Sequence, residues 1–353
     1  MRKLFRFIKW IVWLCAISLG IALFISYASI YVPPIRFWIP AFFGLYFVPL
    51  VIVNALFLLI FFVKRSRIAW IPFIALLPTL LFAEFFVRWG PHGESLPPPS
   101  LTIASYNVCN FQGYGTKTRE ETMAEIGRFL QREQVDIVCM QEFFCADTAR
   151  IGILFPSFPY RFYPKKGVGK SYKGNIILSR IPIENAQELP FLDSRRSCLF
   201  ADFNHNGQLF RVYTTHLESN NISLNALIDR IRHYQEVPDE FLQAHRRIRE
   251  AFRLRTLQVE AISQHIETIT KPFILCGDFN DTPVSYTYHR LQRGITDSFR
   301  QAGYGFGATF RYLWPSLRID YILYNSAFTA KTHTTARVPF SDHYPVITEL
   351  IIL

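Results

Sequence analysis

The chain has 353 residues, half of them hydrophobic and 34 of them Phe, and its mean hydropathy is +0.15, which excludes an ordinary soluble domain of that length. The formal charge of +11 is unevenly placed: nine of the 38 basic and two of the 27 acidic residues fall in residues 1–99, so 29 and 25 remain and the rest of the chain is only about +4. The basic total is therefore no nucleic-acid signature.

The N-terminal quarter carries the apolar excess. No charged residue occurs from Trp10 to Ile35 or from Phe37 to Val63, and each stretch exceeds the roughly 20 residues a membrane helix needs. A third stretch, Ile68 to Val87, is interrupted by Pro72 and Pro78 and contains Glu84, which sits near one end, four residues before Arg88. A carboxylate there reaches the interface or pairs locally, so three spans are expected at about 10–32, 37–63 and 68–87. The first apolar run is too long for a cleavable signal peptide, and no small-residue cleavage site follows it.

Arg2, Lys3, Arg6 and Lys9 precede the first span and Lys64, Arg65 and Arg67 separate the second from the third, whereas the first loop carries only Arg36. The positive-inside rule then places the N-terminus in the cytoplasm and, with three spans, everything after Arg88 outside. A third stretch that merely lies on the membrane would reverse that placement. Residues 1–89 form the expected membrane region, and 90–100, with Pro91 and Pro97-Pro98-Pro99, a stiff linker.

Residues 101–353 change in composition and are long enough for one core. Strands are expected at Leu101–Val108, Val135–Met140, Asn175–Leu178, Cys198–Phe203 and Leu209–Thr214, the last two joined by the hairpin turn Asn206-Gly207. Further strands are expected at Phe273–Cys276, Arg318–Tyr324, Lys331–Val338 and Val346–Ile351. Arg119–Gln134 has helical spacing, with Met123, Ile126, Gly127 and Leu130 on one face; Ser223–Thr268 is mostly helical with a break near Pro238, and a short helix lies near Tyr286–Arg293. This pattern predicts an α/β (α+β) fold with two packed, mainly antiparallel sheets and helices outside. The five cysteines after Cys15 have no metal-ligand spacing and read as small buried thiols, although an outside location permits a bridge.

The chemistry collects where strands run out: Asn107, Glu142, His216, Asp278 with Asn280, Asp320 early in a later strand, and Asp342-His343 before the last. Singly, each has a bland reading: Gly-Asp-x-Asn is often a turn, and a lone His is often a satisfied core residue. Together they are hard oxygen donors, amides and two imidazoles, which favour magnesium, manganese or calcium over zinc. The stretch His245–Arg255, with five Arg against one Glu, reads first as a solvated helix face whose arginines cover apolar surface, and second as a site for nucleic acid or anionic lipid.

The segments Ser105-Tyr106-Asn107-Val108, Met140-Gln141-Glu142, Gly174-Asn175-Ile176, Thr215-His216-Leu217, Gly277-Asp278-Phe279-Asn280, Arg318-Ile319-Asp320-Tyr321 and Ser341-Asp342-His343-Tyr344 occur in one order across residues 101–353. In this the chain resembles the endonuclease/exonuclease/phosphatase superfamily, which includes DNase I, exonuclease III, the inositol polyphosphate 5-phosphatases and bacterial sphingomyelinases. The resemblance implies a four-layer α/β sandwich and metal-dependent hydrolysis of a phosphoester. It implies Glu142 as the main magnesium ligand, with Asn107 and Asp342 in or near its shell. It implies Asp278 and Asn280 on the attacking water, His343 oriented by Asp320, and His343 and His216 on the phosphate, with Asn175 and Asn110 as substrate contacts.

Cys109 departs from the pattern, since some members carry a carboxylate there; Asn110 beside it offers an amide instead. Leu275-Cys276 and Arg318-Ile319-Asp320 also differ from the Trp and Cys-Asp-Arg elements of inositol phosphatases. The expected partners are the lipid bilayer and a phosphoester of nucleic-acid or lipid-headgroup type, with no obligate protein partner. Two other readings are a catalytically silent, membrane-tethered binding module, which the full residue set disfavours, and a transporter or sensor, which only three spans and no polar face beyond Glu84 disfavour.

Overall fold

The computed structural model describes residues 2–89, 100–112, 117–164, 169–220, 237–311 and 317–353. The expected linker, apart from Ser100, and the first part of the Ser223–Thr268 helical stretch lie outside the described residues. Contacts divide the chain into two units, Met1–Glu84 with Asp281–His289, and Phe85–Asn280 with Arg290–Leu353.

In the first unit, α1 (Arg2–Tyr27), α2 (Ile39–Leu45), α3 (Phe47–Val63) and α4 (Trp70–Leu76) carry the apolar runs, and the chain continues past α4 as a tight 3₁₀ helix, Leu77–Phe85. Two segments, Arg6–Ile30 and Arg67–Phe85, are long and apolar enough to cross a membrane. The second expected span is instead a pair, α2 and α3, bent by 70°. Pro49 explains the bend, because it has no N–H to donate to the Leu45 carbonyl one turn earlier. Pro78 similarly sits where α4 tightens into the 3₁₀ helix.

This unit turns large apolar side chains outward and buries polar ones among its apolar contacts, unlike a water-soluble bundle. Ile21, Leu59, Leu80 and Leu81 are exposed, whereas Ser26, Ser29 and Asn54 are buried. Asn54 Nδ2 donates to Leu50 O at 2.8 Å and Leu19 O at 3.2 Å, which ties α3 to α1. The segment Asp281–His289 joins the same packing through Ser29 Oγ, 2.8 Å from Val284 O.

The second unit contains β1 (Val87–Arg88), β2 (Leu101–Asn107), β3 (Ile137–Cys145), β4 (Tyr160–Phe162), β5 (Tyr172–Ser179), β6 (Ile183–Pro190) and β7 (Ser197–His205). It continues with β8 (Gln208–His216), β9 (Phe273–Asp278), β10 (Thr296–Asp297), β11 (Gly305–Phe306), β12 (Asp320–Tyr324), β13 (Phe328–Thr335) and β14 (Val346–Ile352). One six-stranded sheet has the order β13-β14-β2-β3-β5-β4 and the other β10-β12-β9-β8-β7-β6. Each holds a single parallel neighbour pair, β2 with β3 and β8 with β9; the rest are antiparallel.

Side-chain alternation decides the layers. Leu101, Ile103 and Ile137 meet Leu199, Val212 and Ile274 of the other sheet in one buried cluster. The alternate residues Ala104, Tyr106, Val138 and Met140 instead pack on Met123, Ile126, Phe129 and Leu130, from the helix Arg119–Arg132. On the far side the helix Val237–Glu267 covers the second sheet, with His265 Nδ1 3.0 Å from Tyr213 Oη. Helix, sheet, sheet and helix make the four layers expected.

The turn Asn206-Gly207 has both residues at positive φ, 54° and 85°, and closes the β7–β8 hairpin with His205 opposite Gln208. The described part of the long helix runs Val237–Glu267 with Pro238 near its start; the residues that would show the expected break near Pro238 lie outside the described residues. The strands β4 and β6 were not expected from the sequence.

Candidate functional site

Parallel pairing brings the site together at one end of both sheets. β2 and β3 run side by side with Asn107 opposite Gln141, and β8 and β9 with His216 opposite Asp278. Antiparallel β12 begins with Asp320 directly opposite Asp278. Asn107, His216 and Asp278 are thus the last residues of their strands, as expected, and Asp342-His343 precede β14.

Glu142 differs. It does not end its strand but sits within β3, at a register shift between Met140 and Phe143, with φ of 50°. A bulge of this kind re-aims one side chain out of the alternation. The neighbouring turn Cys109–Phe111 has three successive non-Gly residues at φ of 44°, 53° and 55°. Such backbone costs about 1–3 kcal/mol per residue and persists only where the surroundings impose it.

Asp278 is the hub. Its Oδ2 accepts from Asn107 Nδ2 at 2.9 Å and lies 3.5 Å from His216 Nε2 and 3.8 Å from His343 Nε2. Its Oδ1 accepts from the backbone N–H of Asn280 at 2.8 Å. Burial, reinforced by the Asp320 charge, pushes the Asp278 carboxyl up to about 7 against the pull of His343 and Asn107. For His343, burial opposes the charge, but the carboxylates of Asp320 and Asp278 outweigh it and push the imidazole up to about 10. The Nδ1 of His343 is 2.8 Å from Asp320 Oδ2.

Glu142 and Asp342 form the second half. Glu142 Oε2 accepts from Asn110 Nδ2 at 3.1 Å, and Oε1 lies 3.7 Å from His216 Nε2. The Cys109 thiol hydrogen-bonds Asp342 and is pushed up to about 12 by burial and by the charges of Asp342 and Glu142. Asn107 Oδ1 accepts from the Cys109 N–H at 3.0 Å, and Ser341 Oγ donates to Asn107 O at 2.7 Å.

These residues fit a hard divalent cation. Glu142 keeps one carboxylate oxygen outside its bond to Asn110, and the buried Asn110 Oδ1 has no partner among the described residues. Asp278, Asp320 and His343 also present ligand atoms within 4.8 Å of one another. There, however, the cationic His343 already supplies the compensating charge, so that cluster does not call for a metal.

Two amides are committed differently from the expectation. Asn280 Nδ2 donates to Leu217 O at 2.9 Å and so holds the loop after β9 to the end of β8. Asn175 Nδ2 donates to Ser197 O at 2.9 Å. Asn175 lines a cleft of about 660 Å³ together with Glu142, Lys173, Arg195, Arg196 and His216.

Arg196 is not among the site residues expected from the sequence, although its Nη1 is 2.5 Å from His216 Nδ1. The signal was present. Once Asn206-Gly207 fixes the hairpin register, Cys198 falls opposite Thr215, and the residues just before Ser197 arrive beside His216.

A model of the Endonuclease/Exonuclease/phosphatase family matches residues 104–343, and one described as a domain of unknown function matches residues 9–85. No curated protein matches the chain. Among solved structures, the human Nocturnin catalytic domain with bound sulfate anion is 17% identical with a TM-score of 0.54, over 73% of this chain and 96% of that one. An endonuclease/exonuclease/phosphatase from Beutenbergia cavernae is 20% identical with a TM-score of 0.52, over 72% of each chain. Bacteroides thetaiotaomicron mannosyl-6-phosphatase is 21% identical with a TM-score of 0.50, over 72% of this chain and 100% of that one. At such identities the likeness is one of fold.

Proposed function

Because the chain belongs to the Endonuclease/Exonuclease/phosphatase family, we propose that it is a membrane-anchored hydrolase of phosphoester bonds. The observation that carries this reading is the setting of Asp278. A buried carboxylate, pushed up to about 7, is held by Asn107 and the Asn280 backbone between two histidines, one of them cationic. A general base works best with a pKa near the operating pH.

In this reading Asp278 takes a proton from the attacking water and Asn280 holds the loop that presents it. His343, fixed by Asp320, places positive charge where a phosphoryl oxygen gains negative charge. His216, whose Nε2 lies near the same Asp278 oxygen, supplies a second donor. Glu142, Asn107 and Asp342 would hold a magnesium, manganese or calcium ion, with Asn110 steadying Glu142. When bound, the ion supplies Lewis-acid polarisation of the phosphoryl group.

The substrate is a phosphodiester or phosphomonoester of nucleic-acid or phospholipid type, since spans in residues 6–85 tether the site near a bilayer. With α2 and α3 counted as one bent span, the basic residues in the first turns of α1 and between α3 and α4 support a multi-pass chain with the catalytic domain on the extracytoplasmic side. The test is the full chain in detergent micelles assayed on bis(p-nitrophenyl) phosphate, plasmid DNA, sphingomyelin and phosphoinositides, with Mg²⁺ or EDTA, beside Asp278→Asn. Metal-dependent turnover lost in the variant is expected; no turnover of any substrate by the folded chain would overturn the reading.

A further inference from the structure

Arginine has five N–H donors and no acceptor. The contact between Arg196 Nη1 and His216 Nδ1, at 2.5 Å, is therefore chemically consistent with only one form of the imidazole. Nδ1 must present its lone pair, which leaves the single ring proton on Nε2. That nitrogen is the one turned toward Asp278 Oδ2 at 3.5 Å and Glu142 Oε1 at 3.7 Å. His216 is 5% exposed, so water does not compete for Nδ1.

Arg196 is itself held in place. Its backbone N–H donates to Ser194 Oγ at 3.1 Å, and its Nε lies 3.7 Å from Glu218 Oε2. Ser194 Oγ is 3.2 Å from the same Glu218 oxygen. Gln258 of the long helix closes the network, accepting from the Glu218 N–H at 2.9 Å and donating to Ser194 Oγ at 3.1 Å. With its backbone held by Ser194 and its guanidinium by Glu218, Arg196 is a placed donor rather than a mobile surface charge.

We propose that Arg196 is a positioning residue that locks His216 as a neutral imidazole with its proton on Nε2, so that His216 acts on substrate as a hydrogen-bond donor and not as a cation. Resting on the phosphoesterase reading, this gives the two site histidines different jobs. His343, paired with a carboxylate, carries charge; His216, paired with an arginine, carries one directed proton. The second partner of a histidine ring sets which nitrogen holds the proton.

The experiment is ¹⁵N NMR of the full chain, labelled at histidine, in detergent micelles, with His216→Gln to identify the His216 resonances. In the wild type a protonated Nε2 and a bare Nδ1 are expected at neutral pH. In Arg196→Met the two tautomers should mix, with kcat/KM down about 100-fold and the loss mainly in kcat. Arg196→Lys should restore the Nε2–H form and part of the rate. A wild-type spectrum with the proton on Nδ1, or an unchanged tautomer in Arg196→Met, overturns the assignment. So does a loss confined to KM, because that marks a substrate-binding charge. The wild-type spectrum alone decides the tautomer if the variants do not fold, and it does so whether or not any phosphoester proves to be the substrate.

Discussion

His343 and Asp320 form a buried pair, with Nδ1 2.8 Å from Oδ2 and both side chains almost fully enclosed. The pair joins the loop before β14 to the start of β12, and so connects the two sheets at the site. A partner carboxylate in a dry setting holds an imidazole in its charged form. Asp320→Asn keeps the shape and removes the charge. We expect kcat to fall about 100-fold or more, while the unfolding midpoint moves little. Loss of fold instead of rate would show that the pair serves stability.

Gly277 is required for a different reason. A Cβ there would lie 2.1 Å from the Thr215 carbonyl oxygen, and φ is +153°. β9 therefore presses on β8 so closely that only hydrogen fits between them. Gly277→Ala forces a backbone shift one residue before Asp278. We expect a loss of about 3 kcal/mol or more in stability, measured by urea unfolding, together with loss of activity. A stable, active variant would mean the strands separate easily.

Much of this site is legible in the sequence. The strand ends at Asn107, His216 and Asp278 follow from apolar runs that stop at a polar residue, and pairing then makes them neighbours. Glu142 was identified but misplaced, since a bulge inside β3 leaves no local signature. The edge strand β6 was missed because its residues alternate poorly, with a burial pattern that follows its one neighbour β7. The role of Arg196 was hidden because a polar contact across a hairpin depends on register rather than on composition. Likewise, Arg318 and Asp297 are a buried ion pair at 2.5 Å, which no hydropathy pattern distinguishes from two surface charges.

Metal binding has its own readout. If Glu142, Asn107 and Asp342 hold a divalent cation, saturation at about 100 times the dissociation constant adds about 2.7 kcal/mol to stability. The unfolding temperature of the full chain should rise with Mg²⁺ and return with EDTA. Glu142→Gln should abolish the rise, and Asn110→Ala should reduce the affinity, because the bond to Oε2 then no longer orients the ligand. A rise undiminished in Glu142→Gln would move the ion elsewhere.

His333 gives a pH dependence away from the site. It is 6% exposed, with Nδ1 2.8 Å from Ser298 Oγ. Burial, helped by Arg318, pushes it down to about 3. The unfolded value is about 6.5, so the unfolded chain binds the proton first. The stability this neutral histidine contributes is complete above pH 6.5 and is lost as pH falls toward 3, at about 1.4 kcal/mol per pH unit within that window. Asp278, raised to about 7, has the opposite sign over much of the same range, since its folded form binds the proton first. The wild-type curve alone therefore mixes the two. Comparing wild type with His333→Asn at pH 7.5 and pH 5.0 isolates the histidine, because Asp278 is common to both. The stability difference between the two proteins should shift by about 2 kcal/mol in favour of the variant at the lower pH. A difference that stays constant would mean His333 accepts a proton without leaving the fold.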